Sequence, residues 1–266
     1  MAFAIRGLFV IGAILYTYLS RAEKPAAARF PPAAVHFWWG IAGLYRAEWL
    51  RRKEKMRVFA ICAACLLAFP AFAGGERAGR FDYYLLALSW SPGWCATEGR
   101  DRAARQCDPG SGADFVLHGL WPQFEAGWPR DCRSSLRDPS RAETAAMADV
   151  MGSDGAAWHQ WKKHGRCSGL SAAEYFATAR QAYASVAIPV AFQQLAQDVR
   201  LPAAAVEQAF LTANPRLSPE MVTVTCTGER IDDVRICLTK DLEPRPCGAD
   251  VRRECRKQDA LMERVR

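Results

Sequence analysis

Histidine is scarce in this chain: 4 of 266 residues, one of which, His36, falls in an N-terminal apolar region. Acid–base work by imidazole can fall only to His118, His159 and His164 once that region is set aside. Net charge is absent from most of the molecule as well. Of 35 Lys+Arg and 28 Asp+Glu, residues 1–73 hold 10 and 3, which leaves 25 of each for residues 74–266. The whole-chain excess of +7 therefore says nothing about substrate, and an anion site in the later part has to be built locally. Internal repeats and low-complexity segments are also missing, so residues 74–266 read as one domain. What is present is a globular composition, 50% hydrophobic and 24% charged, which argues against a mostly disordered chain.

The N-terminal quarter reads as targeting. The basic run Arg51-Arg52-Lys53-Glu54-Lys55 leads into Met56, and Arg57 is followed by 12 apolar residues, Val58 to Phe69. Pro70 and Ala71-Phe72-Ala73 close the segment, so residues 56–73 have the positive start, short apolar middle and small-residue end of a signal peptide. The apolar run falls short of the roughly 20 residues that a membrane helix needs. Residues 1–55 have two readings. Ala2 to Leu19, apolar apart from Arg6, and His36 to Leu44 would suit a membrane-anchoring extension. A start-site error is preferred, because a complete signal peptide begins at the internal Met56. The expected location is periplasmic or secreted, with a membrane role only if residues 1–55 are translated and retained.

Cysteine usage agrees with export. Beyond Cys62 and Cys65 in the leader stand Cys95, Cys107, Cys132, Cys167, Cys226, Cys237, Cys247 and Cys255, an even set that points to disulfides. No pair among them has the CxxC spacing of a zinc ribbon. Strands are expected at Phe81 to Trp90, Phe115 to Leu120 (stopped by Pro122), Met221 to Cys226 and Val234 to Thr239. Ser171-Ala-Ala-Glu174 is a capping box that should open a helix running to about Ile188, and segments 141–151, 190–199 and 202–213 also look helical. Strands at both ends with helices between them give an α+β fold, a central antiparallel sheet packed against several helices.

The chemistry concentrates in two segments. One is Trp158-His159-Gln160-Trp161-Lys162-Lys163-His164-Gly165-Arg166-Cys167; the other is His118-Gly119-Leu120-Trp121-Pro122. If the first is helical, His159 and Lys163 are neighbours one turn apart, as are Gln160 and His164, while Trp158 and Trp161 form an apolar side. A lone histidine on a strand is more often a satisfied core residue than a catalyst. Two imidazoles, an ammonium and an amide on one helical face are harder to dismiss, because they suit an anion that gains charge during reaction. Metal fits less well: His159 and His164 are five apart, and the HExxH zinc pattern needs four. A zinc site using His164 and Cys167 stays as a rival.

At these residues the chain resembles the ribonuclease T2 family. The His118–Pro122 and His159–Cys167 segments are similar to that family's two active-site segments, in the same order. Phe81–Cys95 resembles its first strand and following cysteine, and Val234–Cys247 its C-terminal strand and loop, so the resemblance covers about residues 81–256. It implies metal-independent endonucleolytic cleavage of single-stranded RNA to 2′,3′-cyclic phosphate ends, with no cofactor. His164 would be the base, His118 the acid, Lys163 the group that stabilises the phosphorane, and His159 a phosphate contact. RNA would be the partner and DNA would not, since DNA lacks the 2′-OH; no obligate protein partner is implied, and a monomer is expected.

Two positions depart from the family pattern. Gln160 stands where the family usually has Glu, and an amide cannot share a proton. That motivates a second reading, an RNA-binding or toxin-like member with weakened catalysis. Gln123 stands where some members carry an Asp linked to base contacts. Trp121 and Trp128 are the residues the resemblance points to for base stacking, although core packing is the ordinary fate of a tryptophan here. The resemblance also helps to assign the disulfides as Cys95–Cys107, Cys132–Cys167, and Cys237–Cys247 nested within Cys226–Cys255.

Overall fold

The computed structural model describes residues 76–266 apart from Arg100 and Ala103, so the expected leader at 56–73 and the extension at 1–55 lie outside the described residues. Strand β1 (Tyr83–Trp90) is buried along almost its whole length. It alternates two sets of apolar side chains. Tyr84, Leu86, Leu88 and Trp90 enter the main core, while Tyr83 and Leu85 enter a second cluster with Cys237, Cys247 and Val251. A strand buried on both faces needs neighbours on both edges, and β1 has them. It pairs antiparallel with β2 (Phe115–Gln123) on one side and β5 (Arg230–Leu238) on the other. The sheet runs β2-β1-β5-β6-β3, with β6 (Ala260–Met262) and β3 (Val199–Leu201) at the far end; β4 (Val222–Thr227) also pairs with β5. The pairings are antiparallel except β5–β6, which meet in parallel at Arg230 and Leu261.

The helices that pack on this sheet and lie at its ends are α1 (Ser91–Trp94), α2 (Arg141–Ala145), α3 (Ala148–Met151), α4 (Asp154–Lys163), α5 (Ala172–Ala184), α6 (Val190–Gln193) and α7 (Ala203–Ala213). The capping box at Ser171 and Glu174 opens α5 as the sequence implies. Two tyrosines eight residues apart, on one face of α5, then tie it along β2: the Tyr175 hydroxyl donates to Leu120 O at 3.0 Å, and that of Tyr183 to Phe115 O at 2.9 Å. Trp90, Phe115, Phe192 and Phe210 pack as rings beneath the sheet, with Trp90–Phe115 at 4.9 Å and Phe115–Phe210 at 5.2 Å. Among the described residues the disulfides are Cys95–Cys107, Cys132–Cys167, Cys226–Cys255 and Cys237–Cys247, the pairs implied by the resemblance.

Several boundaries differ from expectation. Strand β2 continues through Pro122 to Gln123, because β2 is an edge strand and a missing N–H there costs no ladder bond. Segment 190–199 is helical only to Gln193; Val199–Leu201 is a strand, and Leu201 is kept extended by Pro202 after it. Segment 141–151 is two short helices, and α5 stops at Ala184. Trp158 and Trp161 do not form one apolar side. Trp161 is buried beside Tyr175 and Phe176, whereas Trp158 is exposed with Lys162 above its ring.

Candidate active site

His118 sits on an irregularity of β2. Ala87 of β1 faces Gly119 and the next residue, Leu88, faces Leu117, so His118 is an extra residue with no partner across the pair. A bulge of this kind re-aims side chains by breaking the two-residue alternation. Phe115 and Leu117 before it and Leu120 after it all enter the main core, although 117 and 120 differ in parity. His118 and Trp121, three residues apart, thereby come to one face and meet edge to face, ring centroids 5.0 Å apart. In an unbroken strand they would point to opposite faces.

The other imidazoles come from α4 and its end. Ser153 caps α4 by accepting from Ala156 N at 3.0 Å. The helix closes at Lys163, and His164 leaves it with φ −126° and ψ −48° while its backbone N–H still donates to Gln160 O at 2.9 Å. That departure lets the His164 ring lie against Trp121, with centroids 4.8 Å apart and planes 21° from parallel. Gln160 is buried below, and its Oε1 accepts from Trp121 Nε1 at 2.8 Å. Gly119 is what permits this contact: a Cβ there would collide with both Trp121 Nε1 and Gln160 Oε1. Asp138 anchors the helix from outside, accepting from Trp161 Nε1 at 2.9 Å and from Arg166 Nη2 at 2.7 Å. Cys132–Cys167 clips the segment after β2 to the turn beyond α4.

His118, Trp121 and His164 are thus one connected array, with His159 and Lys163 on the exposed part of α4, one turn apart. The four polar residues of the helix do not share one environment: Gln160 and His164 are buried, His159 and Lys163 exposed. Burial pushes the His164 imidazole down to about 3, aided by the charges of Lys163, His118 and His159. His159 is lowered too, first by partial burial and then by Lys163, His118 and Arg102. His164 is accordingly neutral at ordinary pH, as a proton acceptor must be.

The array's other end is a group that sequence reasoning missed. His118 Nδ1 lies 3.2 Å from Oδ1 of Asp233 on β5, across β1, where the intervening residues are the small Ala87 and Ser89. Burial would raise the Asp233 carboxyl, but the His118 hydrogen bond and charge, with Arg235 beside it, outweigh burial and hold it below its ordinary value. The available signal was Asp232-Asp233 between the apolar Ile231 and Val234 of a strand, since a carboxylate buried there needs a partner.

Two expected substrate residues stand apart. Trp128 is 45% exposed in the turn after Gly127, with the Arg130 guanidinium 4.7 Å from its ring centroid. Gln123 is buried at the end of the sheet and donates its amide to Pro122 O at 3.0 Å. Trp121 spends its indole on the two histidines. Zinc by way of His164 and Cys167 is ruled out on chemistry, because Cys167 is disulfide-bonded to Cys132 and offers no thiolate.

The model of the Ribonuclease T2 family matches residues 81–247. A ribonuclease of Aeromonas hydrophila is 46% identical over 120 residues, 44% of this chain and 53% of that protein. The chain spans about half the length of the first curated relatives it matches. Among solved structures, the RNase-related protein from Calystegia sepium superposes with a TM-score of 0.54 at 21% identity, over 69% of this chain and 97% of that one. RNase NT in complex with 5′-AMP gives 0.51 at 22%, over 70% and 98%. At these identities the two structures speak to the fold.

Proposed function

Because the chain belongs to the ribonuclease T2 family, we propose that residues 74–266 form a metal-independent endoribonuclease that cuts single-stranded RNA by transphosphorylation. The observation that carries this reading is the array of His118, Trp121 and His164, one imidazole buried and neutral, the other partly exposed against a carboxylate. His164 takes the proton of the ribose 2′-OH, and the freed oxygen attacks the neighbouring phosphorus. The bond to the 5′-oxygen breaks as His118 hands that oxygen a proton. The products are a 2′,3′-cyclic phosphate and a free 5′-hydroxyl. Lys163 and His159, exposed one turn apart on α4, would hold the non-bridging oxygens, whose charge grows in the transition state. Trp128 offers the more exposed stacking surface for a base, and Trp121, half-buried against His118 and His164, would add to it. DNA, lacking the 2′-OH, would be inert. The protein would act exported, in the periplasm or outside the cell, as a monomer without an obligate protein partner.

Digestion of RNA in EDTA with end-group analysis tests this. Cyclic-phosphate ends and intact DNA are the expected outcome. RNA binding without cut ends would favour the RNA-binding or toxin-like reading that Gln160 motivates, and loss of cutting in chelator would bring back a metal.

Gln160→Glu is expected to raise turnover a few-fold near neutral pH. An imidazole held at about 3 is a weak base there, and general-base catalysis is best when the pKa lies near the working pH. A carboxylate linked to His164 through Trp121 favours imidazolium and so raises the base. The acidic limb of the pH–rate profile, where activity is lost as the base is protonated, should therefore move to higher pH. An acidic limb that does not move, followed down to about pH 2, would place Gln160 outside the reacting centre.

A further inference from the structure

We propose that Asp233 is the positioning residue of His118: it holds Nδ1 so that Nε2 faces the leaving 5′-oxygen, with Arg235 clamping the second carboxylate oxygen. The proposal rests on the acid role given to His118 above. Four observations meet at this point. His118 Nδ1 lies 3.2 Å from Asp233 Oδ1, and the side chains are 42% and 2% exposed, so the ring is anchored at its inner nitrogen and open at its outer one. Arg235 donates to the other oxygen, Oδ2, from Nη2 at 3.1 Å and from Nε at 3.3 Å, while its guanidinium carbon lies 5.4 Å from the Trp121 ring centroid. The Asp233 backbone N–H donates to Thr225 Oγ1 at 3.1 Å.

The fourth observation is in the strands. Val224 and Cys226 of β4 face Val234 and Ile231 of β5, so Asp232 and Asp233 together oppose Thr225 alone. Asp233 is thus on an irregularity of β5, as His118 is on one of β2, and the two strands flank β1. Each break re-aims one member of the pair, and the pair meets over β1. Burying a carboxylate in a sheet is costly, and a pure packing role would be served as well by an apolar side chain. A carboxylate on the inner nitrogen does what an apolar residue cannot: it selects the nitrogen that keeps its proton and fixes the plane of the ring.

The test compares two substrates on the full disulfide-bonded protein. In a dinucleoside monophosphate the leaving 5′-oxygen needs a proton; in uridine 3′-(p-nitrophenyl phosphate) the nitrophenolate leaves without one. Asp233→Asn should lower kcat on the dinucleotide by about 10- to 100-fold, a fraction of what a general acid supplies, with KM and the aryl ester nearly unchanged. His118→Ala should show the same selectivity with a larger factor, and adding Asp233→Asn to it should cost nothing more. If Asp233→Asn slows both substrates alike while His118→Ala stays selective, Asp233 is structural and the proposal falls, leaving the acid reading in place. If His118→Ala itself slows both alike, the acid reading fails and takes this one with it. Should Asp233→Asn not fold, nitrogen-15 NMR of the unaltered protein decides. Neutral His118 should carry its proton on Nδ1, and a proton on Nε2 would overturn the proposal.

Discussion

His164→Ala and His118→Ala should each cut RNA turnover by about 10²–10⁴-fold, the range that one proton transfer by a placed side chain contributes. The two variants should fail differently. His164 is buried and stacked on Trp121, so its removal opens a gap beside the indole; His164→Asn, which fills part of that gap, is the better control for packing. His118 is partly exposed, and its loss leaves the Asp233 carboxylate without its imidazole but still bonded to Arg235. Near-UV circular dichroism establishes that each variant is folded, and steady-state cleavage of RNA gives the factor. Near-normal turnover in either folded variant would sink the acid–base scheme.

Gly119→Ala is expected to be almost as damaging, although no catalytic atom is removed. The added methyl would meet Trp121 Nε1 and Gln160 Oε1, and Trp121 Cδ1 lies 2.9 Å from where it would stand. The indole has to give way, and both histidines are placed by contact with it. A displacement on the order of 1 Å in a reacting group can cost about 10²-fold in rate, and overpacking a filled site costs about 1–3 kcal/mol in stability. Turnover and thermal unfolding of the variant measure the two separately. A folded Gly119→Ala protein with wild-type turnover would show that the Trp121–Gln160 contact does not set the geometry.

Much of this was readable from the chain. The histidine segments, the strands around Tyr83 and Phe115 and the helix opened by Ser171 depend on local residue patterns, and those patterns survive in the fold, whereas the disulfide pairing came with the family resemblance. What stayed hidden depends on tertiary contact. Nothing local says that His164 leaves α4 to stack on Trp121, or that Asp233 crosses β1 to reach His118. Trp158 and Trp161 have the same side chain, yet Asp138 and Tyr175 take one and leave the other outside. The short strand β3 exists only because β6 is there to pair with it.

The extra residue at His118 has a consequence for which changes this strand can absorb. A pleated strand counts its residues in twos, and here the count is off by one between Leu117 and Leu120. Side chains along β2 can be exchanged for others of similar size without touching that count. Removing one residue at the break restores the even rhythm with Leu117 and Leu120 both still in the core, at the cost of His118 or of the glycine that makes room for Trp121. Pairing every residue evenly, with none left over, would instead turn one side of the strand over: either Phe115 and Leu117 leave the core, or Leu120 does and Trp121 goes inward. The site is therefore written in the strand's count as much as in its lettering.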